Sequence, residues 1–190
     1  MSFLSAAARE EPDGQGADLT NDGLVFDGKI SIDYGQFYFE SSAYTDDFVF
    51  EAAFAGQSNG LCGAAKPGRL VFITGPNVGD PPLRVEERTD EPEIDDRWED
   101  VVETSLTLSR PTTYRIVEFS GESVGRPVSL AAGSYRVRYS AFGMDEARPG
   151  ATDDADTYLV QLWPAPATRD RVVKETSESA AYWRAHFFES

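Results

Sequence analysis

Ser123 sits in Gly121-Glu122-Ser123-Val124-Gly125, the spacing of a nucleophile elbow, and aspartates and then His186 follow in the order that many serine hydrolases use. That chemistry requires the serine on a sharp turn leading from a strand into a helix. Here Arg126-Pro127-Val128-Ser129-Leu130 comes next, and it reads as a turn and a further strand, since the residue before a proline is kept out of the helical region. No catalytic residue is expected on this ground. His186 is the single histidine and Cys62 the single cysteine, which closes off metal sites of the His and Cys type. Asp153, Asp154 and Asp156 cluster as hard-cation ligands do, but without the turn glycine and bidentate glutamate of a calcium-binding loop. Lys66 follows Gly63-Ala64-Ala65 without the glycine spacing of a phosphate cradle. The expectation is a chain with no metal and no cofactor.

What remains is charge. Between Glu86 and Glu103, ten acidic residues face only Arg88 and Arg97, a local charge of -8. Such a run presents a row of carboxylates to a basic cleft and stands in for the phosphates that the cleft grips. The plainer alternative is a solvated acidic loop between two strands. Trp98 lies in the middle of the run, and an aromatic among carboxylates is a common anchor at the centre of an interface. The expected partner-binding residues are thus Trp98 with Asp95, Asp96, Glu99 and Asp100, joined by Asp153, Asp154 and Asp156 in the turn before the last strand.

The whole chain carries the same sign. Thirty-three acidic residues against 17 basic ones give a formal charge of -16 over 190 residues. That field opposes contact with nucleic acid or anionic lipid and steers the chain towards a basic protein partner. Hydrophobic residues make up 41 % of the chain, enough for one well-filled core. Residues 9–23 hold few large apolar side chains, so residues 1–23 read as a flexible tail and 24–190 as a single domain. One cysteine fits a reducing compartment, and no run approaches membrane-spanning length, so a cytoplasmic location is expected.

The elements that would position these residues follow period two far more often than 3.6. Ile30, Ile32 and Tyr34 share one face of a strand. Gly35 then reads as a bulge before Phe37 and Phe39 resume the alternation. Further strands are expected at Phe48–Phe54, Arg69–Thr74, around Leu83 and Val85, from Val102 to Leu108, from Tyr114 to Phe119, around Tyr135–Tyr139 and from Tyr158 to Trp163. The expected fold is all-β, as a β-sandwich, jelly roll or immunoglobulin-like domain, with one C-terminal α-helix over 176–188. Thr176 would cap that helix, and Trp183 and Phe187 would share its buried face.

Ile30-Ser31-Ile32-Asp33-Tyr34-Gly35-Gln36-Phe37 near the start, then Leu130, Gly133, Tyr135, Val137 and Asp156-Thr157-Tyr158-Leu159 near the end, resemble the competence protein J family. The similarity spans the two ends of residues 29–163, while the longer middle, the acidic insertion and the C-terminal helix depart from the family pattern. Members of that family inhibit a nuclease of DNA uptake. The resemblance therefore implies a small cytoplasmic inhibitor that occupies a nuclease active site, in agreement with the charge argument. The leading expectation is an acidic inhibitor or immunity-type protein, not an enzyme, that blocks a nuclease or other basic-surfaced toxin. Its competitor is a structural or adaptor domain that contacts a bacterial assembly through the aromatic C-terminal helix.

Overall fold

A computed structural model describes residues 23–45, 49–147 and 155–188. In chain order the strands are β1 (Leu24–Lys29), β2 (Ile32–Asp33), β3 (Gln36–Ser41), β4 (Cys62–Gly63), β5 (Arg69–Ile73), β6 (Val78–Gly79) and β7 (Pro82–Glu87). They continue with β8 (Asp100–Leu108), β9 (Thr112–Val117), β10 (Ser123–Leu130), β11 (Gly133–Phe142), β12 (Thr157–Pro164) and β13 (Arg171–Lys174), and helix α1 spans Glu178–Phe188. The expected all-β class with one C-terminal helix is what the chain adopts. The tail expected over 1–23 lies, except for Gly23, outside the described residues.

Among the described residues the strands form two sheets. One has the order β1-β7-β12-β11-β8-β13; in the other, the path β10-β9-β3-β2-β6 is joined by β5 beside β3 and β4 beside β5. Alternation in β11 shows why the sheets stack. Tyr135, Val137 and Tyr139 point inward, and the Tyr139 ring meets Phe72 at 5.1 Å and Phe37 at 6.1 Å across the gap. Each such ring taken out of water contributes about 1.5–3 kcal/mol, so the aromatic seam between the sheets is a large share of what holds them together. Cys62 belongs to this core, and burial pushes its thiol well above the ordinary range, which leaves it protonated and inert.

Among the strands the sequence expectation fails at two local points, each for a physical reason. Gly35 is not a bulge within one long strand. Tyr34 at φ 55° and Gly35 at φ 68° form a two-residue turn between β2 and β3, with Asp33 paired to Gln36. Consecutive left-handed residues are the signature of the hairpin turn whose twist matches its strands, and the alternation shifts by one residue across it, from Ile30, Ile32 and Tyr34 to Phe37 and Phe39. The other point is Phe48–Phe54. Glu51–Phe54 is a 3-10 helix, in which Phe50 and Phe54 turn towards the same neighbour; Phe48 lies outside the described residues.

That neighbour is α1. The Phe187 ring stacks on Phe54 at 4.0 Å and 11°, and Trp183 meets Phe50 edge-on at 6.0 Å, so the helix buries the expected face. Gly60 lets it come close: a Cβ there would stand 2.3 Å from the Arg184 backbone nitrogen. The capping residue is Ser177 rather than Thr176. Ser177 Oγ accepts from Ala180 N at 3.0 Å, while Thr176 Oγ1 donates to the Glu99 carbonyl at 2.8 Å. Asp145 accepts from the amides of Glu178 and Ser179, and Asp100 Oδ1 from those of Thr176 and Ser177, so two distant carboxylates complete the helix start.

Candidate partner-binding surface

Register places the acidic run before any side chain is considered. β12 is parallel to β7 and antiparallel to β11, and β11 is antiparallel to β8, so β7 and β8 are parallel and two strands apart. Parallel strands in one sheet cannot be joined by a tight turn; their connection must travel back along the sheet. Residues 88–99 make that return journey as an extended strap over the outer face. Arg88 N donates to the Leu162 carbonyl at one end, and Glu99 N to the Ala141 carbonyl at the other.

Beneath the strap runs a line of polar side chains at paired positions on β7, β12, β11, β8 and β13: Glu86, Gln161, Arg138, Glu103 and Arg171. Glu103 is its hub, being 1 % exposed. Its carboxylate accepts from Arg138 Nε at 2.9 Å, Arg136 Nη2 at 3.0 Å and Arg171 Nε at 2.9 Å. Burial alone would raise this carboxyl, but hydrogen bonds from Arg136 and Arg138 and the charges of Arg138 and Arg171 outweigh it and hold the group below the usual carboxylate range. Arg138 also reaches upward: Nη1 donates to the Pro92 carbonyl at 2.6 Å, Nη2 to Glu91 at 3.1 Å, and its guanidinium lies 5.1 Å over Trp163.

The second half of the strap is fixed by apolar contact and by lysine. Trp98 is 3 % exposed and forms a separate cluster with Val101 and Leu159, which point out of β8 and β12. Lys174 Nζ donates to the carbonyls of Asp96 at 3.0 Å and Trp98 at 2.5 Å, and Asp95 Oδ1 accepts from Arg97 N at 3.0 Å. A sheet face with outward apolar residues must be covered, and the only large ring in the strap covers it.

The expected site residues therefore separate. Asp95 and Asp96 are exposed on the strap, together with Asp90 and Glu93. Asp90, Glu93 and Asp96 make no ion pair among the described residues, and Asp95 pairs only with Arg97 at 3.1 Å. Trp98 faces its own sheet and holds the strap against it. Glu99 accepts from Gly143 N at 2.9 Å, and Asp100, fully buried, caps the approach to α1. Asp153 and Asp154 lie outside the described residues; Asp156 is buried. The arginines of β11 and the outward Val101 and Leu159 are the signals that sequence reading passed over. They occupy the face opposite the aromatic alternation and had to be covered or paired.

Burial raises the Asp156 carboxyl, with the hydrogen bond from Tyr158 pulling the other way. A carboxyl raised in the folded state contributes stability that is complete below its unfolded pKa and lost as pH rises through the folded value. Asp156→Asn, which does not ionise, is expected to melt above the parent at neutral pH and to converge with it below about pH 4. Thermal melts across that range check this; a variant that melts lower throughout would show that the carboxylate itself is needed.

Ser123 opens β10 and pairs with Val117, so the strand-turn-helix geometry of an elbow does not occur there. Among the described residues no group of three or more His, Cys, Asp or Glu side chains is placed to hold a metal ion, and no helix is long and apolar enough to cross a membrane.

No family model matches the chain, and no curated protein matches it in sequence. Its two-sheet architecture does match a solved one: the chain has a ComJ-like fold. The similar structure is the crystal structure of ComJ from Bacillus subtilis, an inhibitor of the DNA-degrading activity of NucA, with a TM-score of 0.52 and 17 % identity over 75 % of this chain and 97 % of that one.

Proposed function

We propose that this chain is a protein-binding inhibitor that blocks a nuclease, or another toxin with a basic surface, by laying the acidic strap across its substrate cleft. The observation that carries this reading is a strap fastened from below, which turns Asp90, Glu93, Asp95 and Asp96 outward at fixed positions. A strap backbone already held in place loses little freedom on binding, and a row of like charges steers a basic partner into register. The ComJ-like fold supports it, since ComJ inhibits a DNA-degrading activity. In the reducing interior of a bacterial cell such a protein would protect its own host.

Capture from the native lysate at low salt, followed by elution with rising salt, tests the reading. Recovery of one basic nuclease whose degradation of plasmid DNA the pure protein suppresses is the expected result. If the eluted proteins bind insensitively to salt and none is inhibited, the proposal fails. With the partner in hand, the combined variant Asp90→Asn, Glu93→Gln, Asp95→Asn, Asp96→Asn is expected to associate about tenfold or more slowly at low salt, with dissociation nearly unchanged. Its melting temperature should stay close to the parent's, because asparagine at 95 keeps the acceptor for Arg97 N.

A second reading, an adaptor that docks through α1, is favoured by one observation: Tyr182 is 61 % exposed on the face away from Phe54. Removing residues 176–190 would strip the cover from Phe54, so Tyr182→Ala is the cleaner discriminator. The inhibitor reading expects partner binding to survive it, and the adaptor reading expects binding to be lost.

A further inference from the structure

Away from the strap, three connections meet at one tip of the second sheet: the β2–β3 turn, the segment 76–80 through β6, and the β9–β10 turn. Asp33 pairs with Val78, Gly35 N donates to the Asn77 carbonyl at 3.0 Å, and Glu118 accepts from Ser31 N at 3.0 Å. On this frame sit the largest exposed apolar side chains of the sheet. Tyr34 and Val78 are each 68 % exposed and Phe119 is 40 % exposed. The rings of Tyr34 and Phe119 lie 4.7 Å apart at 39°, each propping the other while both face water.

Nothing in the fold requires this. Tyr34 occupies a left-handed position, φ 55°, that asparagine or glycine fills at less cost, and its ring covers no core. An exposed aromatic pair on a rigid turn, bought with backbone strain, has the make-up of an interface hot spot. The rim selects the partner. Asp33, Asp80 and Glu122 are exposed on these same three connections, and residues 33–36, 76–80 and 118–122 contain no Lys, Arg or His. A second copy of the chain would bring the same acidic rim and a net charge of -16 against its like.

We propose that the Tyr34–Phe119 tip is an anchor by which the chain docks a basic protein surface, with the two rings supplying affinity and the acidic rim supplying register. The proposal rests on the inhibitor reading for the identity of that surface. It supplies the buried aromatic contact that the strap lacks, since Trp98 is turned to its own sheet.

The test places the photo-crosslinking residue p-benzoylphenylalanine at position 34, 119, 95 or 182 of the full chain in its native cells, each site singly. The expected result is a crosslink from positions 34 and 119 to one basic protein. With that protein purified, Tyr34→Asn and Phe119→Ser should each weaken binding by about 30-fold, mainly through faster dissociation. Tyr34→Asn should not lower the melting temperature, because asparagine suits the turn, so a loss of binding there is not a loss of fold. Crosslinks from position 95 but not from 34 or 119 would overturn the tip and leave the inhibitor reading standing. Crosslinks from 182 alone, or from no position, would overturn both. A product from 34 or 119 that is a second copy of the chain or an acidic protein, or unchanged affinity in both variants, would also overturn the anchor.

Discussion

Glu103→Ala, at the buried hub beneath the strap, is expected to lower the melting temperature by roughly 10 °C or more at neutral pH. The carboxylate is the shared acceptor of Arg136, Arg138 and Arg171, and the first two guanidiniums are themselves buried. Removing the acceptor leaves buried positive charge uncompensated, which costs about 3–5 kcal/mol, and each kcal/mol moves the midpoint by about 2–4 °C in a chain of this size. Glu103→Gln keeps the shape and an acceptor oxygen, so it isolates the charge and should fall between the two. The carboxyl is depressed in the folded state, so its contribution is present above the unfolded carboxylate range and is lost as pH falls through the folded value. The gap between parent and Gln variant should therefore narrow on acidification. Calorimetry at several pH values reads all of this, and equal midpoints for parent and Ala variant at pH 7 would remove Glu103 as the hub.

Phe54→Ala acts on the other side of the molecule. The ring is 1 % exposed, stacks on Phe187 at 4.0 Å and meets Phe50 at 5.8 Å, so truncation removes the surface on which α1 is seated. A loss of about 3–5 kcal/mol is expected, the range for emptying a buried phenylalanine site. Its local signature separates it from general unfolding. Trp183 leaves a half-buried contact while Trp98 and Trp163 stay enclosed, so emission should shift to the red by a fraction of the full change. Amide exchange should quicken in 178–188 before it quickens in β11. An unchanged exchange rate in the helix would mean that α1 is held by its capping carboxylates alone.

Much of the fold was legible because burial imposes its own period. Tyr135, Val137 and Tyr139 announced an inward face, and Tyr158–Trp163 a central strand, since both report only on neighbours that water cannot reach. The 50–54 segment was misread because Phe48, Val49 and Phe50 satisfy a strand pattern while Phe50 and Phe54 satisfy a helical one, and only the docked helix decides between them. The acidic run was visible as charge but not as a crossover, because the order of strands in a sheet is a long-range property that local pattern does not carry. For the same reason Trp98 read as an outward anchor: its true partners, Val101 and Leu159, come from strands on either side of β11. Tyr34 was counted into a strand, although a tyrosine before glycine at the end of alternating residues fits a tight turn equally well.

The parallel arrangement of β7 and β8 also sets an order of events. The strands that lie between them, β11 and β12, are formed by residues 133–164, so they leave the ribosome after both of their neighbours. Until they arrive, β7 and β8 have no common sheet to share, Glu103 lacks Arg136 and Arg138, and the chain between them has no face to lie across. Pairings so distant in sequence form slowly. Assembly of the acidic surface is accordingly a late step, and a nascent or truncated chain that stops short of β12 carries Asp90, Glu93, Asp95 and Asp96 without the sheet across which they are displayed.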